Sequence, residues 1–112
     1  MKIRKIHTGI IPLMLFMSSS VNAETSSVKI LSPIDGTKVK ETFTMNYDVT
    51  PGPGGDHIHM YVDGKQVDVI KKIKGQYAFK KLSTGNRELC IKIVDKGHTP
   101  IGVEKCIHVF VE

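Results

Sequence analysis

Three histidines, His57, His59 and His98, are the side chains of this chain best suited to chemistry. In Asp56-His57-Ile58-His59-Met60-Tyr61-Val62-Asp63-Gly64 polar and apolar residues alternate, and successive side chains of an extended strand point to opposite faces. Ile58, Met60 and Val62 therefore fall in one phase, directed to a core, while His57 and His59 fall in the other, directed to water. Side chains two apart on a strand stand ~7 Å apart by the rise per residue, close enough for two rings to converge on one ion. Imidazole suits copper, zinc and nickel. A third imidazole from Lys96-Gly97-His98-Thr99-Pro100 would close a shallow site for carrying or sensing a metal, with Asp56 or Asp95 as further oxygen ligands. The plainer alternative leaves His57 and His59 solvated on a sheet face and makes His98 part of a turn. Three ligands in two segments are fewer than a zinc-finger spacing supplies.

Other chemistries have less behind them. Thioethers bind Cu(I), yet Met45 and Met60 both lie in the apolar phase of their segments, where a flexible thioether fills core space. A nucleophile needs a base and an orienting partner within hydrogen-bond reach, and no serine or free cysteine stands beside these histidines in a recognisable motif. Asp56 and Asp95 have no implied pocket that would make them a glycosidase pair. The chain reads as one that binds rather than reacts.

The elements that must position these residues are short. From Val28 onward, alternating apolar runs are separated by turn residues, with no helical repeat long enough to outweigh them. Strands are predicted over 28–31, 42–49, 56–63, 66–70 and 75–79, followed by two more built on Leu89, Ile91 and Ile93 and on Ile107, Val109 and Val111. Pro51-Gly52-Pro53-Gly54-Gly55 must be a loop, because proline lacks the amide donor and glycine is entropically costly to order. Asp63-Gly64 marks a tight turn. Seven short strands and frequent turns predict a seven-stranded antiparallel β-sandwich of immunoglobulin or fibronectin-III type. In that architecture the loop before the third strand and the loop between the last two lie at one end, which makes His57 and His98 neighbours, with Asp56 and Asp95 on the same rim.

The first 23 residues carry the three parts of a secretory signal: Lys2, Arg4 and Lys5, then an apolar run over 10–17, then Ser18-Ser19-Ser20-Val21-Asn22-Ala23. Cleavage is expected before Glu24, giving a periplasmic or secreted protein. The apolar run is far shorter than the ~20 residues of a spanning helix, and no cysteine follows the cut to take a lipid anchor. One domain over 24–112 is expected from the remaining 89 of 112 residues. Three of 16 basic residues leave with the signal, so 13 face 11 acidic ones and the formal charge falls to +2. Lys71, Lys72, Lys74, Lys80 and Lys81 form a basic run without interleaved aromatic platforms. A nucleic-acid partner is therefore not expected, and a lysine-protected strand edge accounts for the run.

Cys90 and Cys106 are the two cysteines, and an oxidising compartment lets them bond. Cys90 lies opposite in phase to Leu89, Ile91 and Ile93, and Cys106 opposite to Ile107, Val109 and Val111. Both share the outer phase, so a hairpin turning across 96–102 would carry a cross-strand staple on the exposed face of one sheet. Closing such a loop contributes ~3 kcal/mol in the chain-entropy picture. The competing reading, a pair of thiolates binding copper or a redox dithiol, is disfavoured by the long spacing, since there is no Cys-x-x-Cys.

Ser32-Pro33 with Asp35-Gly36, the histidine strand ending in Asp63-Gly64, and Val94-Asp95-Lys96-Gly97-His98-Thr99-Pro100 together resemble a group of small exported bacterial immunoglobulin-like domains. The likeness spans most of the mature chain. It implies the sandwich fold and an exported, non-catalytic role; it supplies no ligand, and the cysteine pair departs from the group. Two functions remain open: a protein holding copper or zinc, and a protein- or glycan-interaction module without metal.

Overall fold

A computed structural model describes residues 25–112; the expected signal segment and its cleavage point lie outside the described residues. Eight strands form: β1 (Ser27–Ser32), β2 (Thr37–Val39), β3 (Phe43–Thr50), β4 (His57–Val62), β5 (Lys65–Ile70), β6 (Lys74–Phe79), β7 (Gly85–Val94) and β8 (Pro100–Val111). They make a three-stranded sheet in the order β1-β3-β6 and a five-stranded sheet in the order β2-β8-β7-β4-β5. All pairings are antiparallel except β2 with β8. This is an immunoglobulin- or fibronectin-III-like sandwich. No helix among the described residues is long and apolar enough to cross a membrane.

Alternation builds the core. Met45, Tyr47 and Val49 of β3 are buried and face Ile58 and Met60 of β4, Leu89, Ile91 and Ile93 of β7, and Ile107, Val109 and Val111 of β8. Each of these residues lies in the apolar phase of its strand, so burial of the common face fixes the register: a one-residue slip would expose the whole set. Met45 and Met60 are wholly buried in this core. The Tyr47 hydroxyl is satisfied by donating to the Lys72 carbonyl at 2.7 Å. Lys71, Lys72, Lys74, Lys80 and Lys81 flank β6, an edge of the smaller sheet, and all are exposed.

The structure corrects the expected strands in two places. The seven-strand expectation lacks β2, three residues paired in parallel with the end of β8. A segment that short carries no readable period. β8 begins at Pro100, so the β7–β8 connection is tighter than the expected turn across 96–102. Within this hairpin Cys90 and Cys106 face each other in register and are disulfide-bonded. The staple lies in one sheet, as the phase implies, but Cys90 is only 4% exposed.

A third correction concerns the histidines. Ile58 and Met60 are wholly buried as expected, yet His57 and His59 are also buried, each 3% exposed, rather than turned to water. Alternation assigns them to the outer face of the sheet and says nothing of what lies on that face. His59 is flanked in register by Val69 and Lys92, His57 by Val94, and the tip of the β7–β8 hairpin folds over both rings.

Candidate metal centre

Two elements bring the site together. His57 opens β4, whose first residues are held to β7 by the Asp56 amide donating to the Val94 carbonyl at 2.8 Å. The proline-glycine loop before it packs tightly: a Cβ on Gly55 would collide with the Pro51 carbonyl and come within 2.9 Å of Ile93. His98 is delivered by the hairpin tip, which Asp95 organises. The Asp95 carboxylate accepts from the amides of Gly97 and Thr99, both at 2.9 Å, and its carbonyl accepts from the His98 amide at 3.0 Å. His98 adopts φ 66°, a left-handed conformation that costs a β-carbon residue on the order of 1 kcal/mol. The tip thus holds that ring over the sheet at some expense.

Three ring nitrogens meet there. His57 Nε2 lies 3.2 Å from His59 Nε2 and 3.1 Å from His98 Nδ1, and His59 Nε2 lies 3.1 Å from His98 Nδ1. The rings are inclined at 55°, 74° and 33° to one another, so they converge rather than stack. Hydrogen bonding does not account for such a triangle. A neutral imidazole has one N–H, and His57 uses its own at Nδ1, which donates to Asp56 Oδ2 at 2.9 Å. His57 Nε2 therefore presents a lone pair. A single proton between two members can satisfy one edge and leaves the third nitrogen facing a lone pair or an N–H.

The same triangle suits a cation. With metal–nitrogen bonds of about 2.0–2.1 Å, right-angled and tetrahedral arrangements place donor nitrogens about 2.9 and 3.4 Å apart, and the measured edges fall between. Ligation needs neutral imidazoles. His59 has its pKa lowered, first by burial and then by the neighbouring His57 and His98, with a hydrogen bond donated to Gln66 acting the other way.

The two candidate carboxylates are engaged elsewhere. Asp56 sits on the far nitrogen of His57, the position from which a carboxylate orients a histidine ligand and raises its basicity. Asp95 is consumed by the backbone of the tip. Neither belongs to the group of ligand atoms, which is His57, His59 and His98. The sequence offered no sign of Gln66 as a neighbour of His59, since that contact depends on the bulged β4–β5 register. An open depression of about 420 Å³ adjoins the site, lined by Gly54, Gly55, Asp56, Asp95, Lys96 and Gly97.

No protein-family model matches the chain, and no curated protein does. Solved structures share the fold. Fibronectin(III)-like modules of Clostridium thermocellum CbhA superpose with a TM-score of 0.62 at 17% identity, over 76% of this chain and 95% of the module. The endo-β-1,4-mannanase from Thermotoga petrophila gives 0.59 at 17% identity, over 84% of this chain but only 21% of the enzyme. A lytic polysaccharide monooxygenase of Jonesia denitrificans gives 0.53 at 15% identity, over 72% of this chain and 61% of that one. At such identities the likeness is one of architecture.

Proposed function

We propose that this is an exported, non-catalytic protein that binds one transition-metal ion, copper or zinc, through His57, His59 and His98. The observation that carries the reading is the triangle of ring nitrogens with edges of 3.1–3.2 Å, which protons alone leave unsatisfied. Asp56 would orient His57, and the hairpin tip would supply the third ligand without rearrangement. The partly exposed position of the site suits loading and unloading. Export rests on the amino-terminal signal pattern.

The test is a titration of the purified mature protein with Cu(I), Cu(II) and Zn(II), with metal bound per chain read by calorimetry and elemental analysis. One ion per chain is expected, and His57→Ala with His59→Ala should abolish it while leaving strand content unchanged. Undiminished uptake by that double variant would end the assignment.

A second reading is a protein- or glycan-interaction module. Its support is the architectural likeness to fibronectin(III)-like modules and to part of a mannanase. The edge strand β5, with Val67 and Val69 exposed at 48% and 40%, offers a surface for it. Failure of all three metals to bind, with retention on an immobilised mannan or cellulose, would favour this reading.

A further inference from the structure

A second group of ligating side chains lies on the same sheet, around the disulfide. Glu88 and Cys90 are two apart on β7, Cys106 and His108 are two apart on β8, and the register pairs Cys90 with Cys106 and Glu88 with His108. All four therefore stand on one face of one hairpin. Directly opposed side chains have Cβ atoms about 4.5–5.5 Å apart, and residues two apart along a strand about 7 Å, so the four side chains are neighbours on that face.

The contacts agree with that placement. Glu88 Oε1 lies 3.5 Å from Cys90 Sγ, although a disulfide sulfur has no proton to offer a carboxylate. Glu88, Cys90 and Cys106 each have a ligand atom within 4.8 Å of the others. His108 Nε2 lies 3.3 Å from Glu88 Oε2, while its Nδ1 faces Asp35 Oδ1 at 3.8 Å. Asp35 is itself fixed, accepting from the His108 amide at 2.7 Å, and the Gly36 amide donates to the His108 carbonyl at 2.7 Å. His108 thus aims one nitrogen at Glu88 of the group, while the Asp35 carboxylate fixes the His108 backbone and stands beyond hydrogen-bond reach of the other nitrogen.

We propose that reduction of the Cys90–Cys106 bond creates a zinc-class site of two thiolates, His108 and Glu88, separate from the histidine triangle. The oxidised form is closed to the ion because its sulfurs carry no charge. An external dithiol opens it by exchange: two electrons and two protons pass to the cysteine sulfurs, the S–S bond breaks, and the dithiol leaves as its own disulfide. A divalent ion then displaces both thiol protons to solvent and forms two metal–sulfur bonds, with the imidazole and carboxylate completing a tetrahedral set. Exchange with an external disulfide reverses the step: the two electrons pass to that disulfide, which leaves as two thiolates, the Cys90–Cys106 S–S bond re-forms, and the ion is released.

The mature protein is reduced with dithiothreitol and desalted without oxygen. Zinc per chain is then compared with the oxidised form, with strand content followed by circular dichroism. Reduction should add one zinc per chain and, with Co(II), a thiolate-to-metal charge-transfer band that the oxidised protein lacks. Glu88→Ala and His108→Ala should each weaken the added site at least tenfold. If reduction loosens the fold, zinc should restore the strand signal. Equal zinc in both forms, an added ion indifferent to Glu88→Ala and His108→Ala, or a reduced chain that zinc fails to refold would each overturn the proposal.

Discussion

Single side chains at the histidine centre divide into those that would hold an ion and those that orient them. Asp56 touches only the far nitrogen of His57, so Asp56→Asn keeps a hydrogen-bond acceptor but loses the charge. Metal affinity by calorimetry is expected to fall about 10- to 100-fold, with the melting temperature of the metal-free protein little changed. His98 separates ligation from backbone geometry, because its φ of 66° suits glycine. His98→Gly should leave the metal-free fold at least as stable in denaturant titration while removing most of the affinity. A variant that still binds tightly would exclude that ring from the site. The sequence made the three histidines legible through phase and loop placement, but the jobs of the two aspartates were hidden. Whether a carboxylate faces an ion, a ring nitrogen or two backbone amides depends on turns of a few residues, and no periodicity encodes those.

Among the elements, the β7–β8 hairpin does the most to hold the molecule together. It contributes Leu89, Ile91, Ile93, Ile107, Val109 and Val111 to the core and carries the Cys90–Cys106 bond, which spans 16 residues. A loop of that size is worth ~3 kcal/mol in the unfolded chain, and at 4–8 °C per kcal/mol for a domain of this length reduction should lower the melting temperature on the order of 10 °C. Calorimetry of oxidised and reduced protein in the presence of chelator checks this; strand content at 25 °C should be the same in both. The phase of Leu89 and Ile107 was enough to place both cysteines on the outer face. The nearly complete enclosure of Cys90 was not readable, since its side of the hairpin acquires neighbours only when β4 is laid beside β7. β2 escaped notice for a related reason: its three residues are held by pairing with β8, not by a pattern of their own.

Taken as a whole, the metal-free protein should be sensitive to acid through the buried imidazole of His59. His59 has its pKa lowered in the folded state, so between that value and the ordinary 6.5 the unfolded chain binds more protons than the folded one. Stability is therefore complete above pH 6.5 and declines as the pH falls through the window below it. Urea midpoints for the metal-free protein should drop between pH 7 and pH 5, and less so in His59→Gln; equal declines would remove His59 as the cause. The sandwich itself was legible because strict two-residue alternation in β3, β4, β7 and β8 leaves only one face to bury. The burial of His57 and His59 was not, because phase places a ring on a face without saying how closely the loop expected beside it folds down. Those two rings and His98 are 41 and 39 residues apart, which gives the hairpin tip a dual character. Empty, the tip is fastened to β4 by little more than three imidazoles crowding one another. Filled, it becomes a buckle, and the ion that closes it would stop the end of the sandwich from fraying and report its own arrival as stiffness in the loop.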